Sequence, residues 1–179
     1  MDVIERVLIS KEELDRQVEQ LGSRISKDYE GKELVIIGVL KGGFIFLADL
    51  ARKITIPVDL DFISVSSYGD SSKSSGVVKI IKDVDINISG KHVLIVEDII
   101  DTGLTLNHLV ELLKTRGPLS VKICAALDKP SRRKAEVHVE YKGIEIPDEF
   151  VIGYGLDYVG KYRNLPEVCI LKKDVYTKK

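Results

Sequence analysis

Apolar positions recur first at a helical spacing. Leu14, Val18, Leu21, Ile25 and Tyr29 follow Ser10-Lys11-Glu12-Glu13, a capping box, and predict a helix ended by Gly31-Lys32. Leu34 to Val39 is apolar without alternation, as in a strand buried on both faces. Leu40-Lys41-Gly42-Gly43 closes that strand and opens a second helix running to about Lys53. Pro57 to Ser66 reads as a strand and Val77 to Ile81 as its antiparallel partner. The Ser67 to Gly76 stretch between them is too small and polar to pack a core, and on composition it is a loose hairpin. Asp83 to Lys91 reads as a polar connection into a second buried strand, Val93 to Val96. Leu104, Leu106, Leu109, Val110 and Leu113 then mark an amphipathic helix stopped by Arg116-Gly117-Pro118. Ser120 to Leu127 is a further buried strand; Val137 to Tyr141 and Phe150 to Gly153 are short ones, with Gly143 and Pro147 between. Strands alternate with helices, so the fold class is α/β.

One junction carries chemistry. After Val96 the chain turns acidic with Glu97, Asp98 and Asp101, then continues Thr102-Gly103-Leu104-Thr105 into the helix. In open α/β sheets, ligands bind in the crevice at the carboxyl ends of the strands. Backbone N–H groups of Thr102 to Thr105 would point out of the helix start toward an anion such as phosphate, and Gly103 allows its close approach. Glu97 and Asp98 would repel a phosphate and suit sugar hydroxyls or a hydrated cation instead. The plain alternative is that Asp101 or Thr102 caps the helix while the carboxylates are solvated. That alternative is adequate for any single residue and poor for the whole run.

Other features are weaker alone. A glycine pair such as Gly42-Gly43 is usually just a tight turn, Phe150 could be a core aromatic, and Arg132 to Lys134 read as a solvated basic loop. His92, His108 and His138 are scattered without metal or triad spacing. Between Phe150 and Tyr158, glycines and aromatic residues alternate in a way that suits a hood over a flat ligand.

Composition narrows the classes. The 179 residues suit one domain with a sizeable core, and 44% hydrophobic with 31% charged residues is ordinary for a globular protein. Lys plus Arg number 27 against 28 acids, so no global charge points to nucleic acid or an acidic membrane surface. Apolar runs such as Leu34 to Leu40 are too short to cross a bilayer, and the first residues lack the layout of a signal peptide. Cys124 and Cys169 sit in apolar contexts and read as buried free thiols, which suits the cytoplasm.

The run Val93 to Thr105 resembles the diphosphate-sugar binding signature of the purine phosphoribosyltransferases, in detail their hypoxanthine-guanine branch, and the similarity extends over nearly the whole chain. The resemblance implies the type I phosphoribosyltransferase fold: a mainly parallel sheet flanked by helices, an antiparallel lid hairpin and a small hood. It implies one domain over 1–179, with the core at about 10–146 and the hood from about 1–9 and 147–179. By the same resemblance Glu97 and Asp98 bind the ribose hydroxyls and Mg²⁺, while Asp101, Thr102, Gly103, Leu104 and Thr105 hold the 5′-phosphate. Some members carry a lysine where this chain has Leu104, which shifts phosphate binding toward backbone and hydroxyl donors. Lys41 and Gly42 would meet the pyrophosphate across a cis bond between Leu40 and Lys41, together with Arg163. Ser67 and Tyr68 would form the lid tip. Lys129 would donate to the purine 6-oxo group and Phe150 would stack on the base. Ile99 and Leu156 would lie beside it, and the Val151 and Asp157 backbone would read its edge. The Asp157 carboxylate would hold a second Mg²⁺, and Asp101 would manage the purine N7 proton.

The implied activity is transfer of 5-phosphoribose from phosphoribosyl diphosphate to N9 of hypoxanthine or guanine. The partners are those small molecules, with a homodimer or homotetramer expected and neither nucleic acid nor membrane. Two rivals are an enzyme specific for xanthine or adenine and a non-catalytic RNA-binding regulator using Arg132 to Lys134. Lys129 argues against adenine, whose 6-amino group would face a second donor. Near-zero net charge and the intact acidic run weigh against RNA.

Overall fold

A computed structural model describes residues 3–67 and 78–177. In chain order the elements are β1 (Ile4–Ile9), α1 (Lys11–Asp28), β2 (Leu34–Leu40), α2 (Phe44–Lys53), β3 (Asp59–Ser67), β4 (Val78–Lys82) and β5 (His92–Ile100). There follow α3 (Leu104–Lys114), β6 (Ser120–Asp128), β7 (Tyr141–Glu145), β8 (Val151–Ile152), β9 (Val168–Leu171) and α4 (Lys173–Thr177), with a 3-10 turn at Pro130–Arg132. The main sheet has six strands in the order β4-β3-β2-β5-β6-β7. All its neighbours run parallel except β4, which returns antiparallel along β3. A second, antiparallel sheet, β1-β9-β8, joins the two ends of the chain.

Burial explains why β2 and β5 read as unbroken apolar runs. Leu34, Ile36, Leu94 and Val96 face one core with α1 and α2, while Val35, Ile37, Val93 and Ile95 face another with α3. A parallel strand covered on both faces has no polar side to show. Ser10 caps α1, its hydroxyl accepting from the Glu13 N–H at 3.2 Å.

Two expectations need correction. The last strand of the main sheet is Tyr141–Glu145 rather than Val137 to Tyr141. Val137 and Val139 do alternate inward against the α3-side core, but the ladder with β6 begins only at Tyr141 opposite Cys124. Gly143, expected between two short strands, lies inside β7, where a side chain would strike the Ala126 carbonyl. The polar connection before β5 is also less polar than it reads. Ile88 is fully buried, and the Asp61 carboxylate on β3 accepts from the Asp85 and Ile86 N–H groups at 2.7 and 2.9 Å.

Among the described residues, no helix is long and apolar enough to cross a membrane. Cys124 and Cys169 are buried and unpaired with each other. Tyr68 and the stretch to Val77 lie outside the described residues, and with them the expected lid; Ser67 is the last residue of β3, paired with Val78.

Candidate active site

The acidic run lies where β5 gives way to α3. Gly103 is the first residue outside α3 and takes a left-handed conformation, φ 80°, with no side chain capping the helix. Neither Asp101 nor Thr102 therefore spends itself as an ordinary cap, and Thr102 Oγ1 meets only the Leu104 N–H, at 3.4 Å. Apart from that of Leu104, the first-turn N–H groups stay available to an anion. Glu97, Asp98, Asp101, Thr102, Gly103 and Thr105 line a cavity of about 180 Å³ over this helix start; Leu104 is partly buried beside it.

Glu97 and Asp98 are packed against each other in the chain. Burial and the neighbouring Asp98 charge push the Glu97 carboxyl well above the usual carboxylate range, and burial raises Asp98 as well. Asp98 accepts from the Ile99 N–H at 2.7 Å. Two crowded carboxylates ionise together only beside a cation. Among the described residues, no three His, Cys, Asp or Glu side chains form a ready-made metal site. A pair of hard oxygen donors, with other positions left to water and substrate oxygens, is the donor set Mg²⁺ accepts.

Gly42 comes to this pair from the end of β2. The Leu40–Lys41 bond is cis, and the following turn brings Gly42 so close that a methyl group on it would overlap the Asp98 carboxylate. From the other side Gly155, at φ 100°, rests against the Gly42 carbonyl, leaving no room for a side chain there either. Arg163 locks this arrangement: its guanidinium donates to the Gly155 carbonyl at 2.7 Å and pairs with Asp157 Oδ1 at 2.7 Å. Asp157 Oδ2 accepts from the Gly160 N–H at 2.7 Å. Lys41 is exposed at the rim of the loop.

A larger cavity, about 510 Å³, opens beside the first, and Asp98, Ile99 and Asp101 form the wall between them. Its other sides are Gly42, Lys129, Arg132, Phe150, Val151, Leu156, Asp157 and Arg163. Lys129 is buried to 7% exposure at the end of β6, and its ammonium donates to the Glu149 carbonyl at 2.8 Å. One wall is thus a buried cationic donor, another an aromatic ring, another a carboxylate. A cavity of about 720 Å³, larger than both of these, lies elsewhere, between α1 and α2. Lys53 pairs there with Glu19 and Arg52 with Asp49, so size does not mark the site.

Residues 10–159 match the family model of the phosphoribosyl transferase domain. The chain belongs to the phosphoribosyl transferase family. It is 52% identical over 173 residues to the hypoxanthine-guanine phosphoribosyltransferase of Bacillus subtilis, covering 97% of this chain and 96% of that one. It is 47% identical to the bifunctional protein TilS/HprT of Listeria monocytogenes, covering 97% of this chain and 27% of that longer protein. The crystal structure of a hypoxanthine phosphoribosyltransferase from Staphylococcus aureus superposes with a TM-score of 0.96 at 46% identity, over 99% of this chain and 96% of that chain. The mainly parallel sheet with flanking helices is the type I fold of these phosphoribosyltransferases.

Sequence reasoning missed several participants. Arg132 is not a merely solvated residue: its Nε lies 3.1 Å from Asp101 Oδ1, and its Nη1 lies 3.6 Å from Asp148 Oδ1. The geometry is that of a charge pair rather than an aligned hydrogen bond, since Asp101 Oδ1 has no oriented donor. Arg133 likewise pairs with the buried Asp128. The same loop holds the turn before α3 from behind, with the Lys134 and Ala135 N–H groups both donating to the Thr102 carbonyl, at 2.9 and 3.1 Å. No local pattern announces these contacts. Only the position of the basic loop directly after β6, neighbour to β5, could have suggested them.

Proposed function

We propose that the chain catalyses transfer of 5-phosphoribose from 5-phosphoribosyl 1-diphosphate to N9 of hypoxanthine or guanine in the cytoplasm. The products are the purine nucleoside 5′-monophosphate and pyrophosphate. The observation that carries this reading is the shared wall: Asp98, Ile99 and Asp101 separate an anion-ready helix start from a cavity holding Lys129 and Phe150. A phosphorylated sugar and a flat base brought to those two cavities meet at that wall.

In this reading the open N–H groups before α3, with the Thr102 and Thr105 hydroxyls, hold the 5′-phosphate, and Glu97 and Asp98 hold the ribose hydroxyls. Glu97 and Asp98, and across the cavity Asp157, are the residues that would hold Mg²⁺, which supplies neutralisation of the diphosphate leaving group. Lys41, the Gly42 backbone and Arg163 bind the departing pyrophosphate. Phe150 stacks on the base between Ile99 and Leu156, Lys129 donates to its 6-oxo group, and the Val151 and Asp157 backbone reads the opposite edge. The bond between ribose C1′ and the diphosphate oxygen breaks with its electron pair leaving on pyrophosphate. N9 forms the new bond to C1′, and Asp101 takes the proton released from N7. Arg132, which faces Asp101, gives way as the purine enters.

A homodimer or homotetramer belongs to the same reading, and light scattering on the purified protein measures it. The deciding experiment is incubation with hypoxanthine, 5-phosphoribosyl 1-diphosphate and Mg²⁺, with chromatographic detection of the nucleotide. Chelation of the metal abolishes turnover and added Mg²⁺ restores it. Failure to form nucleotide from either hypoxanthine or guanine rejects the assignment.

A further inference from the structure

We propose that Tyr176, on the terminal helix α4, is a positioning residue for base binding that fixes the ring of Phe150. The inference rests on the reading of Phe150 as the stacking residue. Phe150 sits in the loop before β8 and is 37% exposed, so its own surroundings in the cavity leave the ring under-determined. The Tyr176 ring stacks on it, with centroids 5.0 Å apart and planes inclined by 26°. Tyr158 meets it edge-on, with centroids 5.7 Å apart and planes at 88°. The two tyrosines are themselves joined, because the Tyr158 hydroxyl donates to the Val175 carbonyl at 3.0 Å. The backbone is held as well, the Phe150 carbonyl accepting from the Leu171 N–H at 2.9 Å. Behind them Tyr158, Val175 and Tyr176 pack against the small core of Ile152, Leu165, Cys169 and Leu171.

The directions of these contacts matter. Phe150 forms part of the larger cavity's wall, whereas Tyr158 and Tyr176 are not among the residues that line it. Tyr176 therefore backs the ring and leaves its remaining surface to the cavity. A ring already held in its stacking orientation loses less freedom when a flat ligand arrives, so the bracket strengthens base binding without touching the base. The helix α4 contributes no fully buried residue, which separates this role from general support of the fold.

The test compares full-length wild type, Tyr176→Ala and Tyr176→Phe, with KM measured separately for guanine and for 5-phosphoribosyl 1-diphosphate. Loss of an aromatic pair of this kind raises KM for guanine roughly three- to tenfold in Tyr176→Ala. Its kcat and its KM for the diphosphate sugar stay within about twofold of wild type. Tyr176→Phe, which keeps the ring, retains wild-type values. A second readout is independent of turnover: with ¹³C-labelled phenylalanine, the ring resonances of Phe150 shift in Tyr176→Ala and not in Tyr176→Phe. An unchanged guanine KM overturns the proposal, as do unmoved Phe150 resonances. A falling guanine KM overturns it too, because the helix would then be obstructing the base. A joint rise of both KM values reduces Tyr176 to a structural residue. A wild-type protein that forms no nucleotide rejects the assigned activity instead, and the resonances still decide whether Tyr176 holds the ring.

Discussion

The Asp98 carboxylate occupies the space a side chain on Gly42 would need. These residues lie at the ends of adjacent parallel strands, β5 and β2, and Gly155 presses on Gly42 from the opposite side. Gly42→Ala therefore forces Asp98 to turn away or the turn to move against Gly155. Displacements near 1 Å at a reacting centre cost on the order of 10²-fold. The expected result is a fall of about that size in kcat/KM with a nearly unchanged melting temperature, since the far end of a flexible side chain can yield. Steady-state kinetics beside a thermal melt checks both halves; wild-type turnover would show that the close approach has no catalytic consequence.

Asp101 stands between the two cavities and faces Arg132. Asp101→Asn keeps the shape and loses the proton acceptor. Turnover should drop by ~10²–10⁴, the usual range for general acid–base groups, while binding of the diphosphate sugar changes little. Calorimetric titration of the sugar beside kcat separates the effects. An Asn variant that turns over hypoxanthine at the wild-type rate removes Asp101 from proton transfer.

Base choice should follow Lys129. Its ammonium has donors only; it donates to the Glu149 carbonyl and lies 4.0 Å from Asp148 Oδ1. A 6-oxo purine offers it a second acceptor, whereas adenine presents an amino group. A site built around such a bond rejects the mismatched analogue by ~10⁴ or more. Hypoxanthine and guanine should both be used, and xanthine poorly, because its 2-oxo group would face backbone carbonyls near Val151 and Asp157. Lys129→Gln, with a weaker donor and an added acceptor, should narrow the hypoxanthine-to-adenine ratio of kcat/KM. A wild-type ratio below about tenfold, or one unmoved by the substitution, means another group reads the base.

Asp61 governs stability rather than chemistry. Burial alone would raise its carboxyl, but N–H groups of Ile86, Phe62 and Asp85, with Lys82 nearby, outweigh burial and hold it below the ordinary value. A carboxylate depressed in the folded state stabilises above its unfolded pKa of about 3.9 and loses that contribution as pH falls through the lowered folded value. Asp61→Ala strands buried backbone donors and should cost about 2–3 kcal/mol at neutral pH. Urea unfolding at pH 7 and near pH 3 measures this, and the gap between wild type and variant should shrink at the acid end. An equal gap at both values excludes Asp61 as the titrating anchor.

Local pattern determined much of this protein. The capped first helix, the doubly buried strands β2 and β5, and the acidic run leading into α3 are all written in neighbouring residues. Burial on both faces, helical periodicity and helix-start chemistry each act over a few positions, so they survive in a one-dimensional reading. Register and convergence do not. The β6–β7 pairing overrode the alternation at Val137 to Tyr141 because a ladder needs a partner at the right height, and Tyr141 is where it begins. Arg132 looked like a solvated charge until the fold carried it to Asp101 and Asp148. Gly42, Asp98 and Gly155 are far apart in the chain, and each alone is only a glycine or an acid. What makes them a site is the close approach of two glycine backbones and one carboxylate, fixed by strand order and by the Arg163 lock, and no periodicity records a distance between segments that meet only after folding.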